Sequence, residues 1–139
     1  PDDGRAHFQF AAFLAPRDPA TAISRYRTGL RLQPDNRFAA NNLAWLLATH
    51  PREEIRNPAE ALKIALRLDR ESGGTVPNLL DTLAAAQAAT GDFEAAAATT
   101  RKALSLPQTA QNQQLAEGLN TRLTHYLEGK PYLETESAQ

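Results

Sequence analysis

The chain has 139 residues, 42% of them hydrophobic, which is enough apolar material for the core of a single domain. A formal net charge of -1 argues against charge-driven binding to nucleic acid or to an anionic membrane surface. The chain contains no cysteine, which excludes disulfides, thiolate metal ligands and a cysteine nucleophile but leaves a cytoplasmic and a periplasmic location both open. It also contains no methionine, so we expect Pro1 to begin a processed chain or a piece of a longer one. No apolar run approaches the ~18 residues that a membrane span needs.

Helical spacing of apolar residues predicts two helices in the first part of the chain. The first covers residues 4–15. The second opens at Asp18-Pro19, an N-cap followed by proline at the first helical position, and runs to about Leu32. The segment 34–36, Pro-Asp-Asn, then ends this helix and caps a third one.

The middle of the chain predicts two more helices, separated by a longer connection at residues 50–56. Asn57 followed by proline, with Glu60 three positions after it, is typical of a capping box at the start of the fourth helix. Two glycines at 73–74 end that helix, and we expect Thr75 or Asn78 to cap the fifth.

Gly91-Asp92 combines a C-cap glycine with an N-cap aspartate and predicts a tight turn. A sixth helix follows from Phe93 to about Leu106, and a seventh spans roughly residues 110–128. Residues 134–139 are polar and predicted to be frayed. Since no segment alternates as a strand would, the fold class is all-α with about seven helices.

A small residue recurs in the middle of the odd-numbered predicted helices, directly after a bulkier one in the first three. A small residue lets a neighbouring helix approach closely, so its recurrence predicts a stack of helical hairpins. The four positions that we expect to be equivalent points of close approach are Ala11, Ala44, Ala84 and Gly118.

The same pattern resembles the tetratricopeptide repeat, most closely in the unit formed by Leu83-Ala84, Gly91, Phe93, Ala96 and Ala103. Two weaker units are carried by Phe10-Ala11, Leu14, Ala22, Tyr26 and Pro34, and by Leu43-Ala44, Leu47, Ala61, Ala65 and Leu68. The final Tyr-Leu-Glu-Gly-Lys-Pro-Tyr, together with Leu-Ala-Trp-Leu-Leu-Ala-Thr, also resembles the C-terminal end of long bacterial arrays of this family.

The resemblance implies a right-handed α-solenoid of three hairpins plus a C-terminal capping helix. The repeats would span about 4–34, 35–75 and 76–108, and the cap about 110–128. We expect the cap to turn polar residues, Arg122 among them, toward water.

In such stacks the first helix of each pair lines a concave groove, which implies a site for a partner polypeptide. Asparagines can pair with both polar groups of a peptide backbone, and tryptophan dominates many interfaces. For Trp45, packing in the core is nearly as strong a reading as exposure in the groove. The predicted partner-binding residues are Arg5, Phe8, Phe38, Asn41, Trp45, Asn78 and Asp81.

A catalytic reading rests on His50 beside Glu53 and Glu54, a grouping that can bind metal or move protons. No second histidine stands at ligand spacing, so a solvated loop is the stronger reading. We therefore predict no catalytic residue, metal site or cofactor.

The sequence thus favours a non-catalytic protein–protein interaction module, a scaffold or adaptor that binds another polypeptide in its groove or through its N-terminal face. The alternative is a subunit or domain held permanently in a larger bacterial membrane-associated or secreted assembly through residues 8–13. We predict neither nucleic-acid binding nor membrane insertion.

Overall fold

The structure, a computed structural model, describes residues 4–135, and within that range every regular element is an α-helix. The helices are α1 (Gly4–Leu14), α2 (Pro19–Leu32), α3 (Arg37–Thr49), α4 (Pro58–Ser72), α5 (Pro77–Ala89), α6 (Phe93–Ser105), α7 (Pro107–Ala110) and α8 (Gln113–Leu127). The all-α prediction is therefore confirmed over the described span. None of these helices combines the length and the apolar character that crossing a membrane requires.

Each helix packs mainly against its neighbours in the chain. The pairs α1–α2, α3–α4 and α5–α6 form hairpins, and α8 packs on α6 as the next layer. In addition α3 packs on α5, so that the first helices of the second and third hairpins lie side by side. This arrangement is a helical solenoid, in which each unit covers the apolar side of the next.

The small residues predicted to allow close helix approach have two different outcomes. Ala11, Ala44 and Ala84 are completely buried, one in each of α1, α3 and α5. Gly118 in α8 is only half-buried, and a Cβ placed there would lie 2.9 Å from the guanidinium of Arg122, a residue of the same helix. The predicted equivalence is therefore wrong at Gly118, where a side chain rather than a neighbouring helix makes the close approach.

Side-chain caps begin four of the predicted helices where the sequence places them. The carboxylates of Asp18 and Asp92 and the amide oxygens of Asn36 and Asn57 each accept from the backbone N–H three residues later, at 2.9–3.2 Å. The capping box at Asn57 is not reciprocal, because the backbone N–H of Asn57 donates to Leu47 O.

The carboxylate of Glu60, expected to complete that box, instead accepts two bonds from Arg27 of α2, at 2.6 and 3.3 Å. The fifth helix also departs from expectation. Its N-cap is Val76, which makes no side-chain cap bond, whereas Thr75 donates its hydroxyl to Ser72 O.

The last predicted helix begins three residues later than expected. Asn112 caps α8 by accepting from the N–H of Leu115 at 3.1 Å. Before it, the short α7 is fixed by the buried hydroxyl of Thr109, which donates to Ala103 O at 2.6 Å. The buried side of α8 then carries Leu119 and Tyr126.

Candidate functional site

A cleft of about 480 Å³ lies between α3 and α5 and brings together five of the seven predicted partner-binding residues. Phe38, Asn41 and Trp45 reach it from α3, and Asn78 and Asp81 from α5. Residues three or four apart share a face of a helix, which explains why each helix presents its set on one side. We call this cleft the α3–α5 groove.

The other two predicted residues lie elsewhere. Arg5 is exposed near the start of α1 and does not line the groove. Phe8 is partly buried against the core, with its ring directly over Gly29 of α2. The assignment of Phe8 to the groove is wrong because Gly29 leaves a space inside the first hairpin that the ring fills.

Asp81 is not available to a partner, because it is held by Arg122 of α8. The guanidinium donates from Nε to Asp81 Oδ1 and from Nη2 to Oδ2, both at 2.7 Å, and the two side chains are only 11% and 13% exposed. Such a bidentate pair is geometrically specific. It corrects two predictions: Asp81 does not read a ligand, and Arg122 does not point to water.

Burial acts on the pKa of both members of this pair. It raises the pKa of Asp81 above its ordinary value, and the charge of Arg122 offsets part of that rise. Burial alone would lower the pKa of Arg122, but the Asp81 carboxylate outweighs it and raises that pKa. At neutral pH we therefore treat the pair as a charged unit whose partners depend on each other.

Two aromatic rings, those of Trp45 and Tyr132, pack against the guanidinium of this pair. The guanidinium carbon of Arg122 lies 5.5 Å from the ring centre of Trp45 and 5.2 Å from that of Tyr132. The two rings are 6.0 Å apart and tilted by 44°. Both distances from Arg122 fall within the range of a cation–π interaction.

Residues 131–135, which follow α8, contact α3 at Trp45 and do not line the α3–α5 groove itself; we call them the C-terminal segment. Glu134 accepts from the indole N–H of Trp45 at 2.9 Å, and its backbone N–H donates to Thr49 O at 2.7 Å. The prediction of a frayed tail from residue 134 is therefore wrong at Glu134, and residues 136–139 lie outside the described part of the chain. We call the three residues that hold the segment the cradle; they are Trp45, Thr49 and Arg122.

Trp45 takes part both in core packing and in the groove, the two alternatives that the sequence left open. Its ring is half-buried and packs against the core cluster that contains Leu43 and Leu47. The same side chain lines the α3–α5 groove and donates its N–H to Glu134. It therefore belongs to the core and to the site at once.

One end of the groove is open. Phe38 is 79% exposed there, and Asn78 is exposed as well. The side-chain oxygen of Asn41 is buried yet has no hydrogen-bond partner among the described residues. A buried acceptor without a donor is costly, and a bound molecule that offers an N–H would remove that cost. We call Phe38, Asn41 and Asn78 the open end.

His50 lies in a second cleft of about 770 Å³, between the α1–α2 turn and the loop after α3. Its Nδ1 accepts from the backbone N–H of Arg52 at 3.1 Å, while Arg56 donates to the carbonyls of His50 and Pro51. Among the residues that the structure describes, no group of three or more acidic or histidine side chains is placed to hold a metal ion.

Arg122, Tyr132 and Glu134 have roles that were not predicted from the sequence. For Arg122 a signal existed, since it falls on the same helical face as Leu119 and Tyr126, at spacings of three and four. A charged residue on a buried face needs a buried partner of opposite charge. No local signal predicts the contacts of Tyr132 and Glu134, because their partners lie in α3.

Comparison of the chain with models of known protein families, with characterised proteins and with solved structures gives no significant match. The functional proposal therefore depends on the geometry of the groove.

Proposed function

We propose that the chain is a non-catalytic interaction module, a scaffold of the tetratricopeptide type that binds a segment of another polypeptide in the α3–α5 groove. The observation that carries the proposal is the open end, where a largely exposed aromatic ring stands beside a buried acceptor without a partner. A peptide can place an apolar side chain against Phe38, and its backbone N–H can pair with the Asn41 oxygen once that side chain turns toward the groove. The repeats at about 4–34, 35–75 and 76–108 would supply the rigid frame.

The rigidity of the frame supports binding without rearrangement of the helices. The groove walls, α3 and α5, pack directly on each other and on α4. Asp81 is in addition fixed by its two bonds to Arg122 of α8. A preformed groove avoids much of the entropy cost of ordering a site when a ligand binds.

The proposal is tested by selecting peptides from a random library against the full chain and measuring their affinities for variants. Phe38→Ala and Asn78→Ala each remove one side chain of the open end without touching the core. We expect Phe38→Ala to weaken binding at least tenfold, since a central aromatic contact is worth about 2 kcal/mol or more.

Phe13→Ala is the matched control, because Phe13 is an exposed aromatic residue on α1, outside the groove. Selected peptides should bind this variant as tightly as the original chain. Equal binding to the Phe38→Ala variant would refute the proposal.

A second candidate is permanent association through the N-terminal face, and the exposure of two aromatic side chains favours it. Phe10 and Phe13 of α1 are 43% and 56% exposed, and each lies beneath an arginine, Arg25 and Arg17 respectively. This candidate predicts that the isolated chain self-associates and that Phe13→Ala abolishes the self-association. A chain that stays monomeric at high concentration would exclude it.

A further inference from the structure

The C-terminal segment occupies the cradle in the manner of a bound peptide. It has no regular secondary structure, and it approaches α3 only after α8 has ended. Glu134 engages both backbone and side chain: its N–H donates to Thr49 O, and its carboxylate accepts from Trp45. Two residues earlier, the ring of Tyr132 lies against Arg122 and makes a T-shaped contact with His125, both residues of α8.

The attachment of the segment is slight compared with that of the helices. Leu133 and Glu134 are exposed, Tyr132 is half-buried, and the described contacts of the segment with α3 run through two side chains and one backbone bond. Gly129, at φ 70°, turns the chain out of α8 just before the segment begins. Tyr132 also packs against a core cluster, but all the buried residues of that cluster belong to α5, α6 and α8. The segment can therefore leave while the residues of the cradle stay in place.

We propose that the cradle is a binding site for a polypeptide segment carrying an aromatic residue followed two positions later by glutamate or glutamine, and that the C-terminal segment is a displaceable internal copy of that ligand. This inference rests on the proposed function, and it names the chemistry of the partner. The aromatic ring of the ligand packs against Arg122 and Trp45, and its glutamate or glutamine accepts a hydrogen bond from the indole N–H.

Charge is not the feature that the cradle selects. Arg122 is already neutralised by Asp81, and Glu134 adds a second negative charge near Asp81, which raises the pKa of that carboxyl further. The indole N–H is a neutral donor that an amide oxygen can also satisfy, although its bond to a carboxylate is stronger. Glutamine is therefore accepted in place of glutamate, whereas alanine is not.

The single tryptophan makes the site directly measurable, because all tryptophan fluorescence of the chain comes from the cradle. The probe is a synthetic peptide with the sequence of residues 130–135, blocked at both ends. The full-length double variant Tyr132→Ala/Glu134→Ala frees the cradle of its internal ligand. Leu133→Ala, which alters an exposed residue of the same segment, is the matched control.

We expect the double variant to show a red-shifted tryptophan emission that returns to the original value as the peptide is added. The original chain and the Leu133→Ala variant should bind the peptide about tenfold more weakly, the reduction that follows when the cradle is free in about a tenth of the molecules. A peptide with glutamine for glutamate should still bind, though a few-fold more weakly because the amide is the weaker acceptor. One with alanine for tyrosine should bind at least tenfold more weakly.

A second measurement uses the unaltered chain, in case the double variant folds poorly. Excess peptide should move the backbone amide signal of Glu134 in the nuclear magnetic resonance spectrum to the position of an unstructured residue. If that signal stays in place and the double variant does not bind the peptide, the segment is a fixed part of the fold and the inference is wrong.

The two proposals fail in different ways. If the tail peptide binds the cradle but Phe38→Ala leaves the selected peptides unaffected, the open end is wrong and the cradle stands. If Phe38→Ala weakens the selected peptides but the double variant selects no aromatic-x-glutamate or aromatic-x-glutamine sequences, the cradle inference fails and the open end stands.

Discussion

Replacing Asp81 by alanine should destabilise the protein strongly, because it leaves Arg122 buried without its counter-charge. Two charges about 4 Å apart interact by about 4 kcal/mol at the effective dielectric typical of sites near a protein surface. Removing one partner of a buried pair costs about 3–5 kcal/mol. Since Arg122 keeps its contacts with two aromatic rings, we expect the lower end of that range, about 3 kcal/mol.

In a domain of this size, 3 kcal/mol corresponds to a fall in Tm of about 10 °C. The measurement is urea unfolding followed in parallel by helical circular dichroism and by the fluorescence of Trp45, which lies 5.5 Å from Arg122. Asp81→Asn, which keeps an acceptor but loses the charge, should fall between the original chain and Asp81→Ala.

The double variant Asp81→Ala/Arg122→Met separates the pair from other effects. It removes the uncompensated charge, so it should be more stable than Asp81→Ala alone even though it carries one change more. Arg122→Met is measured alone as well. If the destabilisations of Asp81→Ala and Arg122→Met simply add in the double variant, or if Asp81→Ala costs less than about 1 kcal/mol, the carboxylate does not hold Arg122 as the structure indicates.

Two further predictions concern the three tyrosines. Among the described residues the buried hydroxyl of Tyr126 has no hydrogen-bond partner, so Tyr126→Phe should leave stability unchanged or raise it by about 1 kcal/mol. Tyr26→Phe removes a hydroxyl that interacts with Asn42 and should cost about 1 kcal/mol in the same urea assay. The reverse order of the two variants would contradict the assignment. Burial raises the pKa of Tyr26, Tyr126 and Tyr132. Above pH 10 the unfolded chain therefore loses protons that the folded chain keeps, and the free energy of unfolding should fall as the pH rises. The fall should reach up to about 1.4 kcal/mol per pH unit for each of the two buried rings, those of Tyr26 and Tyr126. Absorbance at the tyrosinate band should then rise together with the loss of helical signal, and tyrosinate that forms well before unfolding would refute the prediction.

Most of the helices and their starts could be predicted because the signals are local. Asp18, Asn36, Asn57 and Asp92 each bond the backbone three residues away, so a short window of sequence contains both partners. The capping residue of α5 was predicted wrongly, since it is Val76 and not Thr75 or Asn78. Pro77 sets the first turn of that helix and lacks an N–H itself, which left the choice of a capping side chain open.

Half of the candidate site could be predicted and half could not. Phe38, Asn41 and Asn78 follow from spacing on α3 and α5, since each helix face is fixed by its own period. The engagement of Asp81 by Arg122 joins residues 41 positions apart, and nothing near either one specifies the pairing. Phe8 was misplaced because its position depends on Gly29, on the neighbouring helix.

The bond between Trp45 and Glu134 joins positions 89 residues apart in a fold where most contacts are between sequence neighbours. A helical repeat array can unfold locally from its terminal helix inward, because a terminal layer packs only against the layer next to it. Here Glu134 holds the segment after α8 against the second hairpin, so fraying of α8 must first break that contact. Release of the C-terminal segment by a ligand would therefore also loosen the last layer, and hydrogen exchange in α8 would quicken when the cradle is occupied from outside.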